Sequence, residues 1–84
     1  MESNVFVLAN HSPERMFVRW YLSHEQADRL FENAIASGNE EEDVFLFELH
    51  VQDVTNSDEV RQKAEDAVAT EKFTAIRSFS PKTR

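Results

Sequence analysis

The sequence predicts one α+β domain in which a four-stranded sheet carries two helices packed on one face. Four short segments are apolar throughout or alternate apolar with polar side chains, and this is the pattern of β-strands. Two longer segments repeat apolar residues at spacings of three and four, as amphipathic helices do. Their succession along the 84 residues gives the order β-β-α-β-α-β. Residues 1–79 are expected to form the domain and residues 80–84 a flexible basic tail.

The first two strands are predicted to form an antiparallel hairpin. Residues 4–9 read N-V-F-V-L-A, an apolar run that is too short for a helix and rich in strand-forming residues. Residues 10–13 read N-H-S-P, which favours a turn because proline fixes φ and removes a backbone donor. Side chains alternate in residues 16–22, and the short connection favours antiparallel pairing. The apolar face of this second strand consists of Met16, Val18, Trp20 and Leu22.

The first helix is predicted to begin after Ser23. Gln26 stands three residues later, so the two side chains can satisfy backbone donors as a capping box. Glu25 and Arg29 are spaced as a favourable pair across one turn. Gly38, the only glycine, is expected to end the helix in the left-handed conformation. The apolar stripe consists of Ala27, Leu30, Phe31, Ala34 and Ile35.

Residues 44–51 read V-F-L-F-E-L-H-V and are predicted to form a central strand. One face changes from apolar at Val44 and Leu46 to polar at Glu48 and His50. This change indicates that one end of the strand is covered and that the other reaches solvent or a site. The opposite face is apolar throughout and consists of Phe45, Phe47, Leu49 and Val51.

A second helix and a last strand complete the predicted fold. The helix spans residues 56–70 and is capped by Asn56 or Ser57. Its apolar residues are small, so it is expected to be the less stable helix. The last strand spans residues 72–79, with Ile76 on one side and Phe73, Ala75 and Phe79 on the other. The apolar residues of the second helix are Val60, Ala64, Ala67 and Val68.

Composition excludes several classes of protein. The chain has no cysteine, which rules out a disulfide scaffold or a thiolate metal site and fits a reducing compartment. A single glycine rules out the glycine-rich loops that cradle phosphates. No apolar run is long enough to cross a bilayer, and residues 1–4 lack the features of a signal peptide. We therefore expect a cytoplasmic protein that does not contact membranes.

The strongest candidate for catalysis or metal binding is Glu48 with His50, which share a strand face, joined by Asp53 and by His11 or His24. No known ligand spacing is present, and a histidine at a strand end is more often hydrogen-bonded than a ligand. The serines lie at turns, caps and ends without a nucleophile elbow. We therefore expect no catalytic residues, no metal, no cofactor and no enzyme activity.

Charge gives the preferred functional hypothesis. The net charge is −7, and all 16 acidic residues precede Lys72. A run of acids is most often a solvated loop, but carboxylates on a rigid scaffold can also steer a basic partner or imitate a row of phosphates. We predict a protein partner with a basic surface. The predicted partner-binding residues are Glu25, Asp28, Glu32, Glu40, Glu41, Glu42 and Asp43.

A nucleic-acid-binding module is the alternative. Arginines interleave with aromatic rings in two places, which is the chemistry of a surface that binds single-stranded RNA or DNA. The net negative charge opposes this function, because phosphates are repelled outside any local patch. A homodimer is also possible, since a small sheet has two edges, where Phe6, Phe17 or Tyr21 could lie. The aromatic and basic residues concerned are Arg15, Arg19, Trp20, Tyr21, Lys72, Phe73, Arg77 and Phe79.

Three motifs resemble small bacterial and phage domains of unknown function. These are the strand V-F-V-L at residues 5–8, the helix opening S-H-E-Q-A at residues 23–27 and the closing strand F-L-F-E-L at residues 45–49. The family pattern is V-Y-V-L, then S-x-E-x-A, then a closing strand, and the likeness covers about the first 53 residues; residues 56–79 depart from it. The resemblance implies this fold and a bacterial or phage accessory protein. With the small size and acidity, it suggests a regulator or a phage-type inhibitor.

Overall fold

Residues 3–37 and 42–80 are described by the structure, a computed structural model, and within them four antiparallel strands and two helices form one α+β unit. The predicted class and the order β-β-α-β-α-β are confirmed. The elements are β1 (Ser3–His11), β2 (Met16–Tyr21), α1 (His24–Ala36), β3 (Asp43–Val51), α2 (Ser57–Thr70) and β4 (Ala75–Phe79).

The hairpin of β1 and β2 is confirmed. The two strands pair antiparallel in an unbroken register from Phe6 opposite Tyr21 to His11 opposite Met16. The backbone N–H of Ser12 donates to the carbonyl of Arg15 at 2.9 Å and closes the turn. β2 ends at Tyr21, and the predicted last residue of this strand, Leu22, lies beyond it with an exposed side chain.

The strand order is β2-β1-β3-β4, so the first strand of the chain lies inside the sheet. β1 pairs antiparallel with β3 from Ser3 opposite Val51 to His11 opposite Asp43. β2 and β3 both oppose β1 and therefore run parallel to each other, as an intervening helix allows. The two edges of the sheet are β2 and β4.

The helices lie on opposite faces of the sheet, and the prediction that both pack on one face is wrong. α2 covers the face to which Val5 and Val7 point, and α1 covers the face of Phe6 and Leu8. Successive side chains of a strand point to opposite faces. A central strand that is apolar from residue 5 to residue 9 therefore needs a helix on each side.

Each face has its own core. On the α1 side, the helix buries Phe31 and Ala27 against Leu8, Val44 and Leu46. On the α2 side, the sheet contributes the larger side chains, and Met16, Trp20, Phe45, Leu49, Val54 and Phe73 pack at the margin. The buried residues there are Val5, Val7, Ala9, Val18, Phe47, Val51, Val60, Ala64, Ala67 and Val68.

β4 is short, and its pairing with β3 is interrupted. It begins at Ala75, later than predicted. Leu46 lies opposite Arg77 and Phe47 lies opposite Ala75, so Ile76 is the extra residue of a β-bulge. Bulges of this kind are common on edge strands, where they terminate regular pairing.

The bulge changes which side chains of β4 share a face. Phe73, which precedes the strand, packs in the α2-side core, whereas Phe79 packs in the α1-side core. The prediction that Phe73 and Phe79 lie on the same side is therefore wrong. The same displacement turns Arg77 toward α1, where it meets Asp28.

Side chains cap the start of both helices, as the sequence predicts. Ser23 Oγ accepts from the N–H of Gln26 at 3.2 Å, and Asn56 Oδ1 accepts from the N–H of Glu59 at 3.2 Å. The C-cap of α2 is Glu71, which has a left-handed φ of 57° although it is not glycine. The predicted cap at Gly38 lies outside the described residues.

None of the helices in the described ranges has the length and hydropathy needed to span a membrane.

Candidate docking surfaces

Three of the predicted partner-binding residues form a line on α1. We call Glu25, Asp28 and Glu32 the acidic row. Their spacings of three and four place them along one side of the helix. Their side chains are 84%, 46% and 59% exposed, respectively. The row therefore presents carboxylates to solvent on the α1 face of the molecule.

Arg77 of β4 holds two members of the acidic row. Its Nη1 donates to Asp28 Oδ1 at 2.7 Å, and its Nη2 donates to Glu32 Oε1. Its guanidinium carbon lies 4.6 Å from the centre of the Phe31 ring, a cation–π contact that fixes the orientation of the side chain. The hydrogen bonds to Asp28 and then to Glu32 raise the pKa of Arg77 above its usual value.

The acidic row keeps hydrogen-bonding capacity after these contacts. Asp28 and Glu32 each give one oxygen to Arg77, and within the described ranges the other oxygen has no further partner. Glu25 accepts from Arg29 at 3.3 Å, and both side chains are exposed. A pair of this kind in water contributes only a few tenths of a kcal/mol, on the order of 0.3, and is easily exchanged for another partner.

Of the predicted acidic loop, the structure describes Glu42 and Asp43, which have different partners. Glu42 is 5% exposed, and Arg15 in the hairpin turn donates to it at 3.0 Å. This bond raises the pKa of Arg15. Asp43 accepts from the hydroxyl of Ser80 at 2.7 Å. Glu42 thus contacts the hairpin turn, the predicted Glu40 and Glu41 lie outside the described residues, and the binding of a partner by Glu42 and Asp43 stays a prediction.

A second surface runs along the outer edge of β2. We call it the edge groove: a concavity of about 550 Å³ lined by residues 16–21 together with Arg61 and Glu65 of α2. Phe17 is 55% exposed there, which is unusual for a phenylalanine. A smaller concavity of about 380 Å³ adjoins it beside Phe17 and Arg19.

Cations and rings are paired in the edge groove. The guanidinium of Arg19 lies 5.5 Å from the ring centre of Phe17, and that of Arg61 lies 5.9 Å from Trp20. One of the two groups of residues predicted to bind nucleic acid comes together here, because Arg19, Trp20 and Tyr21 all line the groove. The second set does not join them, since β4 lies at the opposite edge of the sheet.

The strongest candidate for a catalytic or metal site, Glu48 with His50, Asp53 and a further histidine, is only partly assembled. The amide nitrogen of Asn4 donates to Glu48 at 2.6 Å, and the amide oxygen lies 2.8 Å from His50 Nδ1. His24 instead stacks on Phe6, and Asp53 accepts from Thr55 at the entrance to α2. Among residues 3–37 and 42–80, no group of three or more candidate ligands lies close enough to hold a metal.

Comparison with known protein families, with curated proteins and with solved structures finds no match to this chain. The resemblance to small bacterial and phage domains therefore stays a prediction.

Sequence reasoning gave only part of these surfaces. The charges of the chain suggest that the basic last segment pairs with the acidic helices, but the contact of Arg77 with the acidic row depends on the bulge at Ile76, for which the sequence has no signal. The spacing of Arg61 and Glu65 shows that they share a side of α2, but not that this side borders β2. Phe17 is one of the three aromatic residues considered for a sheet edge, but only the strand order shows that β2 forms that edge.

Proposed function

We propose that this chain is a small, acidic, non-enzymatic protein-binding domain that docks onto a larger partner with a basic surface, as a regulator or a phage-type inhibitor does. The acidic row of α1 is the docking face. The observation that carries the proposal is the position of Arg77 between Asp28 and Glu32. The non-enzymatic part rests on the sequence, which lacks the motifs of nucleophilic and metal-dependent catalysis.

Arg77 prepares the acidic row for binding. Immobilising a flexible side chain at an interface costs roughly 0.5–1.5 kcal/mol, and a carboxylate that is already held avoids much of that cost. Asp28 and Glu32 are held by Arg77 but each retains an oxygen for a lysine or arginine of the partner. Charge-assisted hydrogen bonds of this type are about twice as strong as neutral ones.

The field that attracts the partner comes from the whole chain rather than from the row alone. Arg29 and Arg77 neutralise part of the acidic row. The net charge of −7 still gives the molecule a negative potential, and such a potential accelerates encounter with a basic surface. In this proposal the overall charge brings the partner close, and the row determines where it docks.

A matched pair of variants tests where docking occurs. Glu25→Gln with Glu32→Gln removes two charges from the α1 face, and Asp58→Asn with Asp66→Asn removes two from α2 on the opposite face. We expect proteins that wild type captures from a bacterial lysate to bind the α1 variant about tenfold more weakly, which corresponds to about 1.4 kcal/mol. The α2 variant should capture them almost as wild type does, and added salt should release them.

Two results would contradict the proposal. Equal losses in both variants would mean that net charge alone attracts the captured proteins. Failure of wild type to retain any protein at low salt would remove protein docking itself.

Arg77→Met separates preorganisation from charge. Methionine keeps the apolar contact with Phe31 but removes a cation, so the surface becomes more negative. At the same time, the acidic row loses the hydrogen bonds that hold Asp28 and Glu32. Preorganisation predicts weaker capture, whereas charge alone predicts stronger capture. Circular dichroism of the variant confirms that any loss does not come from unfolding.

A further inference from the structure

We propose that the edge of β2 pairs with β2 of a second copy of this chain, so that one continuous sheet runs through a two-fold symmetric dimer. This inference concerns a different surface from the acidic row and does not depend on the proposed docking function.

The backbone of β2 is suited to further pairing. β2 lies at the edge of the sheet, and its register with β1 has no shift. Every second residue of such a strand directs its N–H and C=O outward, which is a template for another strand. The opposite edge is less suited, because β4 is short and bulged at Ile76. The edge groove opens along the whole of β2.

The side chains of β2 are complementary to themselves in one register. Directly opposite residues of antiparallel strands share a face of the sheet. If two copies of β2 cross at Val18, Phe17 of each copy lies opposite Arg19 of the other, and Met16 lies opposite Trp20. The first pair repeats between copies the ring and guanidinium contact found within one copy, at 5.5 Å. The second joins a thioether to an aromatic ring.

Neighbouring registers are unfavourable. Crossing at Arg19 would place two guanidinium groups directly opposite each other, and like charges in that position destabilise a strand pair. Crossing at Phe17 would place Arg15 opposite Arg19, again with like charges. The sequence of β2 therefore selects Val18 as the centre of the pair.

α2 adds a second complementary pair beside the strand. Arg61 and Glu65 are one turn apart, and both line the edge groove. In the part of the chain that the structure describes, neither residue forms an ion pair, although Arg61 lies over Trp20. A two-fold axis at the edge reverses α2 of the second copy, which brings Arg61 of each copy toward Glu65 of the other. Reciprocal contacts of this kind are characteristic of symmetric interfaces.

A second copy fits the edge groove better than a nucleic acid does. Glu65 lies in the groove, and the chain as a whole is acidic, so both would repel a phosphate backbone. A second copy instead satisfies Glu65 with Arg61 and buries the exposed Phe17.

Sedimentation velocity over a wide range of concentrations tests the dimer. Wild type should convert from monomer to dimer as the concentration rises. Phe17→Lys places a cation opposite Arg19 and should weaken dimerisation about tenfold or more. Ile76→Lys is the matched control on the other edge, where the side chain is 44% exposed, and it should leave dimerisation unchanged. Glu25→Gln with Glu32→Gln, which tests the docking function, should also leave it unchanged.

A charge exchange tests whether Arg61 of each copy meets Glu65 of the other. Arg61→Glu alone and Glu65→Arg alone should each weaken self-association, because like charges then meet across the axis. An equal mixture of the two variants should dimerise again, since each remaining contact joins opposite charges. Recovery in the mixture but not in either variant is a result that disrupted folding could not produce.

Several outcomes would overturn the inference. These are wild type that stays monomeric at every concentration, a dimer that Ile76→Lys disrupts and Phe17→Lys does not, and a mixture of charge variants that fails to recover. Saturable binding of a fluorescent single-stranded oligonucleotide by monomeric wild type, abolished by Phe17→Lys, would assign the edge groove to nucleic acid instead.

Discussion

On the α1 side of the sheet, the helix contributes the largest buried side chain, Phe31, and the buried side chains of the strands are the aliphatic Leu8, Val44 and Leu46. On the α2 side the contributions are reversed, because the sheet supplies the ring of Phe47 and the helix supplies valines and alanines. The rings of the sheet fill the space that the small helical side chains leave. The relative stability of the two helices therefore cannot be judged from their own side chains alone.

This difference bears on the prediction that α2 is the less stable helix. The small size of its apolar side chains is the only ground for that prediction. The structure adds the rings that α2 covers, including Phe47, which stacks on Phe73 with ring centres 4.5 Å apart. The relative stability of the two helices stays a prediction, and four experiments address it from the largest expected effect to the smallest.

Removing the central ring from each face should have the largest effect. Phe47→Ala is expected to lower the free energy of unfolding by about 4 kcal/mol and Phe31→Ala by about 3 kcal/mol, because each leaves a cavity in a small core. Phe47 should cost more since Phe73 loses a stacking partner. Urea unfolding followed by circular dichroism measures both, and a larger loss for Phe31→Ala would reverse the comparison of the two faces.

Removing each N-cap should have an intermediate effect. Asn56→Ala and Ser23→Ala each leave a backbone donor unsatisfied and are expected to cost about 1 kcal/mol. If α2 is the weaker helix, Asn56→Ala should accelerate hydrogen exchange of α2 amides well before those of α1. Uniform acceleration across both helices in both variants would show that the helices unfold only together.

The C-terminal caps should respond in opposite directions. Glu71→Gly is expected to stabilise the protein by roughly 0.5–1 kcal/mol, because glycine adopts a positive φ without steric cost. Ser37 ends α1 with a φ of −70°, and its hydroxyl donates to Ala34. Ser37→Gly should therefore destabilise by roughly 0.5 kcal/mol. Thermal unfolding of the two variants checks the signs, and a loss on Glu71→Gly would contradict the relief of strain.

Acid should weaken the entrance of α2. The side-chain hydrogen bond from Thr55, followed by its backbone N–H, lowers the pKa of Asp53. Because the folded pKa lies below the unfolded value of about 3.9, this stabilisation is complete above that value and is lost as pH falls through the folded pKa. Thr55→Ala should therefore reduce the pH dependence of unfolding below about pH 4. An unchanged acid profile would exclude this contribution.

Local rules predicted much of the fold. The hairpin, the order of the elements and the caps at Ser23 and Asn56 follow from turn residues, apolar periodicity and helix-start signals. The placement of the helices was predicted wrongly, because the apolar run of residues 4–9 requires cover on both faces only if β1 is central, and it does not indicate which helix covers which face. That depends on β1 being central, which is a property of long-range pairing.

The candidate site, like the fold, could be predicted only in part from the sequence. The acidic row could be predicted from the spacing of Glu25, Asp28 and Glu32. The contact of Arg77 with Asp28 and Glu32 could not be predicted. Without the bulge at Ile76, the side chain of Arg77 would share a face with Ala75, on the α2 side. A single extra residue on an edge strand therefore determines which helix receives this cation.

The central position of β1 also has a consequence for how the chain is made. β1 is synthesised before all of its neighbours, and its hairpin with β2 can form early. Its second edge, however, must wait for β3, whose pairing runs from Asp43 to Val51. Until then the apolar side chains on both faces of β1 have no complete cover. Folding of the nascent chain should therefore be delayed until β3 has left the ribosome, and a chain arrested before that point should be a substrate for chaperones.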